Sequence, residues 1–417
     1  MHTKDREKYA EDTGMSNVRD YLKEREKRLG STTAVTYKEK IKSHRLTIFY
    51  RVILAIILIT AIVAFLVMQW ENKVFTECVI ADSSPVTIVQ GARVENLGGN
   101  VLLYSKDGAS CMDSKGNALW NLTFEMQNPM VSISGNVAAI GDYNGRSIYM
   151  VNGTNQMGTV KTNLPIRKIC AAQSGVVAAV LDDANVIRIM LYNGNEDTET
   201  SIADGKATMD KSGYPVSISL SPNGKLLAIS YLYVDSGDMK STVAFYNFGE
   251  VGKNESDNFV SGYDYLNTIV PYVQFMNNKS AFAVSDDRIV FFEGSERPNN
   301  IASSLLDEEV QGVYYNESYV GLVFINQSGE SAYRLDVYNT AGNKVHSQFF
   351  DIEYTDIVFN KDQIIIYNDM DCRICNVKGA DKFTGEFEKP VSLMIPTASV
   401  YKYVAVTSNS VDMIELK

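Results

Sequence analysis

The chain has 417 residues, 45% hydrophobic and 21% charged, with 24 Tyr and 17 Phe. That is the composition of a folded protein, and it is too aromatic for a disordered one. The formal net charge of -11 is unevenly spread, with roughly +5 on residues 1–51 and roughly -16 on the rest. An acidic body lacks the clustered Lys and Arg that neutralise phosphates, so no nucleic-acid partner is expected.

Residues 1–45 read as a basic tail. Ser16 and Asn17 can cap a short helix that places Val18, Tyr21, Leu22, Arg25 and Leu29 on one face, and Gly30 offers a natural stop. That face suits a cytoplasmic partner or anionic lipid, with Lys23, Arg25, Lys27 and Arg28 supplying attraction. The plainer reading is a marginal helix in a disordered tail that fixes topology.

Residues 46–70 read as a transmembrane helix that lies in the lipid bilayer. Val52 to Met68 carries no charge, and with its apolar flanks the run reaches the roughly 20 residues that cross a bilayer core. Tyr50, Arg51 and Trp70 are placed for the membrane interface, the aromatics at headgroup depth and the arginine snorkelling outward. Lys38, Lys40, Lys42, Arg45 and Arg51 precede the span, whereas Glu71, Lys73, Glu77 and Asp82 follow it. By the positive-inside rule the N-terminus is cytoplasmic and residues 71–417 are extracytoplasmic, a single-pass arrangement in the cell membrane. The long charged leader and the length of the apolar run argue against a cleaved signal peptide.

The body repeats about every 40 residues as apolar strand, Gly/Asn/Asp turn, strand, turn, strand. Clear copies are GNVLLYSKDGASCMDSKG from Gly99, GNVAAIGDYNGRSIYMVNG from Gly135 and KSAFAVSDDRIVFFEG from Lys279. A short strand precedes each later copy, as in VSISLS from Val216 and YVQFMN from Tyr272. Four strands per unit give an all-β fold, a β-propeller of about eight four-stranded blades with seven as the alternative. The last unit has three strands, so a strand from roughly residue 73 to 81 is expected to supply its outer strand and latch the ring.

Candidate chemistry is sparse. His2 and His44 lie in the first 45 residues, which leaves His346 as an expected surface residue of an outer strand. A His triad or multi-His metal centre is excluded. Cys372 and Cys375 have redox or zinc half-site spacing, but they lie in a strand where residues three apart point to opposite faces, so they read as structural. No metal site is expected there. Sequons at Asn121, Asn152, Asn254, Asn278, Asn316 and Asn326 read as turn composition in a bacterial chain.

The turn between the second and third strands is acidic in most units: Asp107, Asp142, Asp182 with Asp183, and Asp235 with Asp238. Asp286 with Asp287 and Asp369 with Asp371 continue the series. Equivalent turns share one face of a propeller, so these carboxylates are expected to form an acidic face suited to cations, amines or a basic partner. The plainer reading is that Asp satisfies tight-turn geometry.

Ser114 to Trp120, Asn339 to Val345 and the run from Asn376 to Phe387 resemble the blade-end turn of quinoprotein-type (PQQ-like) propellers. The layout as a whole resembles an uncharacterised family of Firmicute membrane proteins with a basic tail, one anchor and a PQQ-like or WD40-like propeller outside. Quinone-holding relatives carry a tryptophan in most blades, whereas this chain has only Trp70 and Trp120, so no cofactor is expected. The resulting expectation is a non-enzymatic binding or scaffolding module for a protein or envelope component outside the cytoplasm. The alternative is a carboxylate-based hydrolase or lyase acting on an envelope polysaccharide at the channel mouth.

Overall fold

A computed structural model describes residues 8–71, 73–89, 91–183, 186–195, 201–208, 213–235, 237–327 and 329–417. The chain divides into two compact units, Met1–Lys73 and Val74–Lys417.

The first unit is one helix, α1 (Lys8–Glu71). It neither starts at Ser16 nor stops at Gly30: an interior glycine costs only about 1 kcal/mol, which adjoining good helix formers such as Leu, Lys and Glu outweigh. Within it, His44–Phe65 is long and apolar enough to cross a membrane; at 1.5 Å per residue its 22 residues match a hydrocarbon core of about 30 Å. Thr60 Oγ1 lies 3.0 and 2.8 Å from the Ile56 and Ile57 carbonyls, which satisfies a hydroxyl set among apolar residues.

The second unit is an eight-bladed β-propeller in which every blade is a four-stranded antiparallel sheet. Blades 1 to 7 span residues 93–123, 129–161, 166–208, 214–266, 272–305, 310–350 and 356–386, each with strands A (innermost) to D (outermost) in chain order. Blade 8 takes strands A to C from residues 393–416 and its D strand from Cys78–Pro85.

This D strand is the latch. It pairs antiparallel with Ser410–Leu416 from Cys78 opposite Leu416 to Pro85 opposite Ser410. It begins later than residue 73, because an outermost strand is held by backbone pairing and needs no apolar alternation. The polar run Asp82-Ser-Ser-Pro85 therefore serves, with its proline on the open edge. Phe75, inside the expected range, instead bridges Phe383 of blade 7.

The apolar core is a ring of layers. Each of eight buried clusters lies between two neighbouring blades. Strand B is therefore buried on both faces and reads as a continuous apolar run, as in Ser280–Val284 and Gln363–Tyr367. Its side chains alternate between interfaces: Ala281 and Ala283 face blade 4, whereas Phe282 packs toward blade 6. Cys372 and Cys375 divide in the same way, Cys372 toward blade 8 and Cys375 toward blade 6. Both are free thiols, and burial pushes Cys375 up to about 12 and Cys372 well above the ordinary thiol value.

Strand A has no sheet neighbour on its inner edge, and in blades 3 to 5 side chains of the preceding blade accept from its N–H groups. Ser132 Oγ accepts from Ala171 N at 3.0 Å, and Cys170 Sγ from Leu220 N at 3.2 Å. Ser217 and Ser219 accept from Val273 N and Phe275 N at 3.1 and 2.9 Å. An edge that invites aggregation is thereby closed with hydroxyl and thiol groups.

Candidate functional site

Because strands alternate in direction, the A–B and C–D turns lie at one end of the propeller (the AB end), and the B–C turns and blade-to-blade connections lie at the other (the BC end). The two ends have different chemistry.

At the AB end, Asp or Asn opens the blade-end turn and glycine sits three residues on. Asp113 Oδ1 accepts from Lys115 N and Asn117 N at 2.8 and 2.9 Å, and Gly116 holds φ +78°. Asn339 and Asn376 repeat this, with Gly342 and Gly379 at φ +80° and +91°. These are the turns that carry the PQQ-like resemblance, and their physical role is docking. The preceding blade's D strand seats a side chain on them: Ser84 lies against Gly116, Ala302 under Gly342 and His346 against Gly379, and at the blade 2 turn, which lacks that glycine, Trp120 Nε1 donates to the Asn152 carbonyl at 2.8 Å. His346 is thus half-buried between blades 6 and 7 rather than a surface residue, because the glycine leaves no side chain to exclude it.

The acidic turns lie at the BC end in blades 1, 2, 3, 4, 5 and 7, as the repeat register predicts. Most of the carboxylates are engaged locally. Asp142 accepts from Gln127 N and Asn128 N at 3.0 and 2.6 Å, and Asp286 from Ile269 N at 3.2 Å, so each ties its turn to the incoming connection. Asp182 binds Arg167 at 2.9 Å and Asp183 binds Arg188 at 2.8 Å. Arg288 beside Asp287 holds that carboxyl below its ordinary value. Asp371 accepts from Asn368 Nδ2 at 3.1 Å. Asp107 and Asp369 expose their side chains and use their carbonyl groups to receive Phe124 N and Val391 N. The side chains of Asp235, Asp238 and Trp70 lie outside the described residues. Among the described residues no three His, Cys, Asp or Glu side chains gather as a metal-holding group.

Turn acidity alone did not disclose what shares this end. Of fifteen large apolar or tyrosine side chains exposed on the described propeller, ten lie at the BC end. Val234 faces Met239 across the blade 4 hairpin, with Leu266 ending the adjoining strand. Leu305, Ile325 and Phe349 follow in blades 5 and 6, and Met370 in blade 7. Val89 precedes blade 1. Tyr143 carries the Arg167 guanidinium 5.1 Å above its ring, near exposed Tyr214. The available signal was adjacency: Tyr143, Val234, Met239 and Met370 each sit next to a turn acid.

At the BC mouth of the channel stand two half-buried carboxyls that are far apart in sequence, and the charge of Asp356 acts on Glu95. Glu95 (blade 1) is raised by burial, then by the Asp356 charge, with Arg93 opposing. Asp356 (blade 7) is raised by burial, opposed by the Ile357 N–H and the Tyr367 hydroxyl. At the AB mouth, a hollow of about 470 Å³ is lined by Ser132, Gln173, Gln274, Asn277 and Tyr315 among others.

Solved structures similar to the chain include BamB from Moraxella catarrhalis, 12% identical with a TM-score of 0.46, covering 82% of this chain and 100% of that one. AztD from Citrobacter koseri is 9% identical with a TM-score of 0.47, covering 72% and 87%. A eukaryotic initiation factor is 15% identical with a TM-score of 0.48, covering 79% and 87%. No curated protein matches the sequence. A family profile matches residues 71–416, nearly the whole propeller and its latch, and the chain belongs to that family, described as a family of unknown function (DUF5711).

Proposed function

We propose that the chain is a membrane-anchored binding module. Residues 46–70 hold it in the bilayer with Tyr50, Arg51 and Trp70 at the interfaces, residues 1–45 are cytoplasmic and open to a cytoplasmic partner, and the propeller lies outside. The apolar length of His44–Phe65 and the excess of basic residues before it support this placement. The BC end of the propeller docks a basic protein or envelope component. One observation carries this reading: exposed apolar side chains and acidic turns coincide at one end of the ring, although closing the ring requires neither to be exposed. A patch of this kind gains affinity from its apolar anchors and partner choice from its charge.

The test is site-specific photo-crosslinking in intact cells from Leu266 and Met370 at the BC end and from Leu119 and Ile202 away from it. The expected result is a defined adduct from the first pair only, weakened in a triple Asp107→Asn, Asp286→Asn, Asp369→Asn variant. Equal labelling from both pairs, or an adduct indifferent to the triple variant, would remove the reading. The second reading, a carboxylate-based hydrolase or lyase acting on an envelope polysaccharide, has one observation in its favour, the two half-buried carboxyls Glu95 and Asp356 at the channel mouth, both raised by burial. It requires release of reducing ends from purified wall polysaccharide that stops in Glu95→Gln.

A further inference from the structure

The flank of the ring between blades 3 and 4 holds a hollow of about 480 Å³, a volume typical of small-ligand pockets. It exists because two small residues leave it unfilled. Gly205 sits on the outer strand of blade 3, where an added Cβ would meet nothing nearer than the Ile189 carbonyl oxygen at 3.5 Å, and Ala244 lies on the facing strand of blade 4. Leu227 and Ile229 add apolar floor, and Tyr246 and Phe259 form an edge-to-face aromatic wall with ring centroids 5.9 Å apart.

At the base, the Tyr231 hydroxyl lies 3.1 Å from that of Tyr246, and Tyr231 is only 3% exposed. Two hydroxyls that share one contact satisfy one of their two hydrogens. The accepting hydroxyl keeps an O–H with no acceptor among the described residues, and burial makes an unmet donor costly. The rim is acidic: Asp204, Asp257 and Asp264 stand around the opening with Lys240. Thr242 Oγ1 at 2.6 Å and Lys240 Nζ at 3.5 Å hold Asp264, and Arg188 at 2.8 Å holds Asp204 while also binding Asp183.

We infer that this hollow binds an organic cation, an ammonium or guanidinium on an apolar stem. The stem lies on the Leu227, Ile229 and Ala244 floor and the cation meets the aromatic wall and the Asp257 and Asp264 carboxylates, the charge being what holds the ligand; an acceptor, where the ligand carries one, takes the unmet tyrosine O–H as a secondary contact. The same chemistry arises from a basic side chain of a peptide or from a free amine. The site is on the flank of the ring and does not depend on the BC end as a docking face.

The test is calorimetric titration of the full chain in uncharged detergent. The probes are phenethylammonium, an acetylated and amidated Phe-Arg dipeptide, and neutral phenethyl alcohol. Saturable binding of at least one cation is expected, with the alcohol silent. Asp264→Asn, nearly isosteric, and Ala244→Phe, which fills the floor, should each weaken it about tenfold, near 1.4 kcal/mol. Tighter binding of the dipeptide assigns a peptide source and tighter binding of the amine a free one; either supports the site. Absence of saturation by both cations, equal binding of the alcohol, or unchanged affinity in folded Asp264→Asn would overturn the inference.

Discussion

At the AB end the ring is tied by neutral amides. Asn277 Nδ2 donates to the Glu317 carbonyl, Asn316 Nδ2 to that of Lys361 at the same 2.8 Å, and Gln363 Nε2 to that of Val400 at 3.1 Å, so blades 5 to 8 are linked turn to turn. The BC end is held instead by carboxylates that cap backbone N–H groups or pair with Arg, and it also displays apolar side chains that no contact requires. The amide end is spent on cohesion, since the oxygens of Asn277 and Asn316 receive the N–H groups of their own turns. The charged end does the same structural work and keeps groups to spare. A propeller needs two closed ends, but only one of these carries more than closure demands.

The largest expected effect tests whether charge at the BC side is also cohesive. Asp412, 2% exposed, is held by the Lys389 ammonium at 3.1 Å and by the hydroxyl of Ser83 on the latch strand. Lys389→Met leaves this buried carboxylate with the Ser83 hydroxyl but without its cation, at a cost of about 3 kcal/mol. Urea unfolding of the full chain in detergent reads that loss, and adding Asp412→Asn should restore most of it. A double variant as weak as the single one would show that packing, rather than charge, seals the latch.

A somewhat smaller effect belongs to the amide end. Gly379 has φ +91°, and an added Cβ would stand 2.1 Å from His346 Nε2. Gly379→Ala therefore combines a strained backbone with displacement of the neighbouring blade, about 2 kcal/mol in all. His346→Ala in the same chain should relieve the steric part and leave the backbone part, about 1 kcal/mol. Full recovery would mean that the left-handed turn is not needed for docking.

These two positions also show what was legible in the sequence. Gly379 stands in a visible Asn-x-x-Gly turn, and the repeat of such turns with apolar B strands discloses four-stranded blades, their number and the need for a latch. The latch bounds were misplaced, because an outer strand held by backbone bonds carries no apolar signature at Asp82-Ser-Ser-Pro85. Gly30 failed as a stop because its local cost is small against the residues around it. The turn acids were legible as one face, since register alone fixes which end they occupy, but the apolar side chains beside them were not, because exposure depends on where the neighbouring blade stops covering. The Tyr231 and Tyr246 pair and the Glu95 and Asp356 pair come from different strands or blades, and only ring closure brings the second together.

The smallest effect sharpens the comparison at the channel mouth, where two carboxyls of the BC end are half-buried rather than exposed. Glu95 and Asp356 both lie above their ordinary values, burial being the first cause in each. A carboxyl with a raised folded pKa holds its proton more tightly in the native state than in the unfolded chain. Its contribution to stability is complete below the unfolded value and declines as pH rises from there through the raised value. Glu95→Gln should therefore raise the unfolding midpoint at neutral pH and leave it unchanged near about pH 3, where the wild-type carboxyl is already neutral. Asp356→Asn should gain less, because the Asp356 carboxylate accepts from Ile357 N at 2.8 Å. If the gain from Glu95→Gln is the same at both pH values, the fold does not raise the Glu95 carboxyl, and the BC mouth is no different in kind from the rim around it.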